Sequence, residues 1–143
     1  MQHISESVSI NATPAAVWSL LTTPDSILKW FVGIDTLEAT PDYPAVGSKI
    51  AGNYKVLGIE LKATQTVTAS EAGSTIHYAL EGVVNGTQNW SIAGAGNAVT
   101  LTMTMDYSMS GGVLGKLAEP AVHQMNLNNA KQSLAKLKAL AEG

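Results

Sequence analysis

Apolar and polar residues alternate with a period of two over most of this chain, and only its last stretch switches to a helical period. His3 to Ile10 sets the first strand, with Ile4, Val8 and Ile10 on one face and Ser5, Ser7 and Ser9 on the other. Glu6 has the inward parity and reads as a carboxylate at a strand end that escapes to water. Thr13-Pro14 and Thr23-Pro24 then repeat one signal, an N-cap hydroxyl followed by a proline at the first helical position. They predict short helices from Pro14 to about Leu21 and from Pro24 to about Val32, the second stopping at Gly33. Val17, Trp18, Leu21, Ile27, Leu28 and Phe31 would face the core, with Trp30 and Phe31 suited equally to core or pocket rim.

A weaker strand candidate, Ile34 to Thr40, ends at Pro41-Asp42-Tyr43-Pro44, which reads as an exposed loop. Ser48 to Val56 puts Ile50, Tyr54 and Val56 on one face, and Leu57-Gly58 reads as a turn or bulge. Ile59 to Ser70 turns Ile59, Leu61, Ala63, Val67 and Ala69 inward, with Gln65 the polar exception. A strand with Ile76, Tyr78 and Leu80 inward follows, and Asn85-Gly86 predicts a tight type I′ hairpin. The returning strand aligns Gln88, Trp90 and Ile92. After Gly94-Ala95-Gly96-Asn97 the last strand sets Val99, Leu101, Met103, Met105, Tyr107 and Met109 against a threonine-rich outer face. From about Pro120, Leu127, Ala130, Leu134, Leu137 and Ala141 fall on one helical stripe, which His123 and Asn126 extend toward its start.

Strand, two helices, six strands in a meander and a long helix make an α+β domain. The expectation is one domain over residues 1–143, a curved seven-stranded antiparallel sheet wrapped around a long C-terminal helix, with two short helices after strand 1. At 143 residues the chain suits a single core. The eight basic residues are all lysines and the net charge is −3. Without arginine there is no planar fork for phosphate or guanine, so nucleic acid is disfavoured as a partner. Cysteine is absent, which excludes disulfides, thiolate metal sites and a cysteine nucleophile. Three unpaired histidines give no metal-ligand spacing, and neither metal nor cofactor is expected. The first ten residues hold no apolar run, so no leader, no membrane segment and a cytoplasmic location are expected.

Three segments carry a likeness. They are SVSINATPAAVWSLLTTPDSILKW from Ser7 to Trp30, Gly47-Ser48-Lys49 opening the third strand, and GGVLGKL followed by Asn129 and LAKLKALAE, within Gly111 to Glu142. In this order they resemble the START-like or SRPBCC superfamily, the helix-grip fold shared by polyketide cyclases, lipid-transfer domains and pollen-allergen-type ligand carriers. The resemblance implies an apolar cavity between the sheet and the last helix. It implies no single function, because the superfamily's members bind lipids, cyclise polyketides or assist other proteins.

Candidate ligand-binding residues are therefore those of inward parity that are bulky or polar-tipped: Phe31, Tyr54, Gln65, Tyr78, Gln88, Trp90, Met103, Met105, Tyr107, His123 and Asn126. A buried phenol or amide without a partner is costly, so these tips face water or ligand, or else pair with one another. The leading expectation is binding or transport of a hydrophobic small molecule, lipid-like or aromatic. One alternative is a polyketide cyclase/dehydratase-like enzyme using His123 and a tyrosine as acid and base; the other is a protein-interaction module. No GxSxG, HExxH, Walker-type or GxGxxG motif is present, so a binding protein is favoured over an enzyme.

Overall fold

The computed structural model describes residues 1–56, 59–109 and 119–143, with the side chains of Tyr54, Val56, Ile59 and Glu119 outside that description. The Leu57-Gly58 turn and the Gly111 to Leu117 motif also lie outside the described residues. The elements run β1 (Gln2–Ile10), α1 (Pro14–Thr22), α2 (Pro24–Trp30), β2 (Ile34–Ala39), β3 (Lys49–Val56), β4 (Ile59–Glu71), β5 (Thr75–Gly82), β6 (Val84–Ala95), β7 (Ala98–Met109) and α3 (Glu119–Glu142). The seven strands form one antiparallel sheet in the order β1-β7-β6-β5-β4-β3-β2. The fold is thus the α+β arrangement expected from the patterning, and the helix grip that the resemblance implied. No helix among the described residues is long and apolar enough to cross a membrane.

The two Thr-Pro signals start helices but are not equivalent. Thr13 caps α1 as expected, its Oγ1 accepting from the Ala16 N–H at 3.1 Å. Thr23 makes no side-chain cap bond. It also ends α1, its own N–H donating to the Ser19 carbonyl, while its carbonyl takes the Ser26 and Ile27 N–H groups. The Ser26 N–H, one of the donors a capping hydroxyl would take, is therefore met by backbone. The helix α2 stops at Trp30, short of Val32, because Phe31 is already extended and Gly33 adopts φ +98°. Leu28, expected inward, is exposed.

Three strand-level expectations are corrected. Asn85-Gly86 is not the β5–β6 turn: Gly86 sits inside β6, opposite Leu80 on one side and Tyr107 on the other. The chain reverses at Gly82-Val83 instead, where Gly82 has φ +108° and its carbonyl accepts from Asn85 Nδ2 at 3.2 Å. Gly86 is needed for another reason, since at its φ of +143° a Cβ would collide with the Asp106 carbonyl on β7. In β4 the register slips between Val67 and Ala69, so Ala69 pairs with outward His77 and Ser70 with buried Ile76. One extra residue inverts every later side chain, which turns Ala69 outward. Finally, Tyr43 is not exposed on its loop but half-buried, folded back against the sheet.

One continuous core joins β1, the meander, α1, α2 and the second half of α3; Ile4, Ile10, Val17, Leu21, Leu101, Leu134 and Leu137 are all buried within it. Glu6, on the inner parity, lies 3.9 Å from Lys131 of α3 and is partly exposed, so its charge is both paired and hydrated. The end of α3 is clasped to the start of the chain. Lys138 Nζ donates to the Ser9 carbonyl at 2.6 Å, and the Glu142 carboxylate accepts from the Asn11 N–H at 2.8 Å and from Lys138 at 2.6 Å. Those bonds hold the Glu142 carboxyl below the usual range, the Asn11 N–H contributing most. Further along, Ser133 is buried and its Oγ accepts from the Val32 N–H at 2.9 Å, tying α3 to the end of α2.

Candidate functional site

Where α3 rises away from the leucine-packed half, its side chains Asn126, Asn129, Ala130 and Ser133 repeat at helical spacing and face an interior cavity of about 110 Å3. The opposite wall is the inner face of the sheet, to which all seven strands contribute, and α2 with its following residues closes one side. Trp30 is the central wall residue, 2% exposed. Its ring meets Trp90 edge-on at 5.4 Å between centroids and Phe31 at 5.6 Å, and its Nε1 donates to the Leu20 carbonyl at 2.8 Å. No charged side chain lines this cavity among the described residues.

Of the side chains singled out from the sequence, Phe31, Gln65, Tyr78, Gln88, Trp90, Met103, Met105 and Asn126 line it. The Tyr54 side chain lies outside the described residues. Tyr107 and His123 are not in the lining; they stand beside it. The Tyr107 hydroxyl is 2.9 Å from His123 Nδ1 and accepts from Asn126 Nδ2 at 3.0 Å, and the phenol and imidazole rings stack with centroids 6.0 Å apart. Asn126 thus touches both the cavity and the buried phenol.

The polar tips on the inner face largely satisfy one another. Trp90 Nε1 donates to Gln88 Oε1 at 3.2 Å, and Gln88 Nε2 reaches Met105 Sδ at 3.9 Å. The Tyr78 and Tyr43 hydroxyls are hydrogen-bonded at 2.5 Å. Burial pushes both phenols above their ordinary range, most strongly Tyr78, where the neighbouring Tyr43 adds to the effect. The side-chain amides of Gln65 and Asn129 have no hydrogen-bond partner among the described residues. No fully buried side-chain nitrogen or oxygen among them lacks one.

Patterning missed Tyr43, Asn129 and Ser133 as cavity residues. Tyr43 lies in a Pro-flanked loop, and nothing in Pro41-Asp42-Tyr43-Pro44 signals that its phenol turns inward. Asn129 and Ser133 do carry a signal: they stand three and seven residues after Asn126, on the same helical face. Asp106 points outward, as its parity requires, and accepts a bond from His3 Nδ1 at 2.6 Å on the sheet's outer face. No three metal-ligating His, Asp or Glu side chains converge among the described residues.

A helix lying across a curved antiparallel sheet, with an uncharged cavity between them, is the arrangement against which known proteins can be compared. The family model described as polyketide cyclase / dehydrase and lipid transport matches residues 1–142. The chain belongs to that family. No curated protein matches it in sequence. Among solved structures, it is similar to a protein of Thermus thermophilus, with 14% identity, TM-score 0.82, and 96% of this chain and 95% of that one covered. It is also similar to the Zhui aromatase/cyclase of Streptomyces sp. R1128, with 18% identity, TM-score 0.75, and 99% and 93% covered. A third is the major latex-like protein 151 of Panax ginseng, with 14% identity, TM-score 0.75, and 99% and 98% covered. At such identities the likeness concerns the fold alone: this family member shares the architecture of those three proteins.

Proposed function

We propose that this protein binds a hydrophobic small molecule in the cavity between α3 and the sheet, as a carrier or sensor. The observation that carries this reading is the cavity itself, a space walled by Trp30, Phe31, Trp90, Met103 and Met105 beside the packed leucines of the core. An empty apolar cavity gives up dispersion contacts, and a ligand that fills it restores them. Its size narrows the ligand. A void of about 150 Å3 lined by apolar side chains accepts benzene, so about 110 Å3 suits a single ring, and anything larger requires the wall to move. An aromatic ligand therefore fits better than a long acyl chain. Native mass spectrometry of gently purified protein should show an adduct of ring-compound mass, or the ligand-free protein should take up benzene with a shift in Trp30 and Trp90 fluorescence. Absence of both would end the reading.

A second reading, a polyketide cyclase/dehydratase-like enzyme, rests on the Tyr107–His123–Asn126 cluster, in which an imidazole and a phenol share a bond at the edge of the cavity. It ranks below binding because His123 and Tyr107 do not themselves reach the cavity, so a proton would have to travel by way of Asn126 or through movement of α3. If His123→Ala and Tyr107→Phe both leave an identified turnover unchanged, the enzymatic assignment is wrong.

A further inference from the structure

The hydrogen bonds inside the cavity single out one pair of groups. Two phenols carry two hydroxyl protons, but only one proton can lie between the oxygens of Tyr43 and Tyr78. The other must point elsewhere. No neighbouring tip absorbs it: neither hydroxyl makes another hydrogen bond among the described residues, while Gln88 pairs with Trp90 and Met105, and Tyr107 bonds within its own cluster with His123 and Asn126. Both tyrosines line the cavity. With burial holding both phenols protonated, the pair remains a neutral donor. The hydroxyl that donates the surplus proton also accepts a bond from its neighbour, which polarises it and strengthens it as a donor.

The rest of the lining restricts what can meet that donor. With no lysine, histidine, aspartate or glutamate on the described wall, a carboxylate or ammonium ligand would lose its hydration without gaining a counter-charge. The only other polar tips without a protein partner among the described lining residues are the Gln65 and Asn129 amides, which are also neutral.

We propose that the Tyr43–Tyr78 phenol pair is the polar anchor of the cavity, and that its ligand is a neutral ring compound presenting a carbonyl oxygen. This rests on the cavity-binding reading and deepens it to a substrate class. The anchor has a specific consequence for mutation. Tyr43→Phe or Tyr78→Phe alone leaves one hydroxyl with an uncommitted proton, so either single variant keeps a donor. Only the double variant removes it, and it leaves no orphaned partner behind, which keeps the fold intact.

The test is isothermal titration, with tryptophan fluorescence in parallel, using three single-ring probes of similar shape: acetophenone, ethylbenzene and benzoate. Wild type should bind acetophenone about three- to tenfold more tightly than ethylbenzene, the range expected of one net hydrogen bond, and should bind benzoate most weakly. Each single variant should keep a preference for the ketone. Tyr43→Phe/Tyr78→Phe, with an unchanged denaturation midpoint, should bind the two neutral probes equally. If wild type binds ethylbenzene and acetophenone equally, or if the double variant keeps the full preference, the phenol pair is not the anchor, while cavity binding stands. Tight binding of benzoate would overturn the neutrality of the ligand. If neither neutral probe binds, the cavity-binding reading itself fails.

Discussion

At the scale of single residues, the phenol pair links function to stability. Because burial raises both pKa values above 10.0, the unfolded chain loses these protons at a lower pH than the folded one. Their contribution is fully present below about pH 10 and is lost as pH rises beyond it, since there the folded state holds more protons. Denaturant midpoints measured from about pH 8 to about pH 11 should therefore fall at the alkaline end, and less steeply in Tyr43→Phe/Tyr78→Phe. Gly86 offers a purely steric case. Gly86→Ala places a methyl against the Asp106 carbonyl at a φ of +143°, and should cost about 2 kcal/mol or more in urea unfolding. The same residue shows what patterning cannot see. Asn-Gly is a hairpin signal only where the chain must reverse, whereas here the requirement comes from β7, a strand beginning twelve residues after Gly86.

At the scale of elements, α3 divides by role. Its Leu134 and Leu137 are packed in the core, while Asn126 to Ser133 turns toward the cavity. Leu134→Ala should cost about 2–5 kcal/mol, as large-to-small core changes do. His123→Ala removes one bond to Tyr107 but leaves that hydroxyl bonded to Asn126, so about 0.5–1.5 kcal/mol is expected. Similar losses at both sites in denaturant titration would contradict this division. Element type and order were legible in the sequence because a sheet with one wet face must alternate, and β7 does so over its whole length. The cavity wall was legible for the same reason on β4 to β7. Tyr43 was not, because a loop has no period; nor was the β4 bulge, since a one-residue slip alters parity without altering composition. Tyr107 and His123 satisfied the inward parity, yet parity says only which face a side chain takes and not which neighbour it meets there.

At the scale of the molecule, cavity and core share one interior, so occupancy and stability are linked. A ligand that binds only the folded form at 100 times its Kd should add about 2.7 kcal/mol to unfolding. With the ketone probe, a Tm rising with ligand concentration would check this. The strand order has another consequence. β1 and β2 are separated in sequence only by α1 and α2, yet occupy opposite edges of the sheet. The strand β1 pairs instead with β7, Gln2 opposite Tyr107 and Ile10 opposite Val99. A chain emerging from the ribosome must therefore hold its first strand without a sheet partner until its seventh has been made. Such long-range closure slows folding, into the range of about milliseconds to seconds. The grip around α3, and with it the ligand's chamber, is among the last things this protein builds, so no ligand can serve as a template for its early folding.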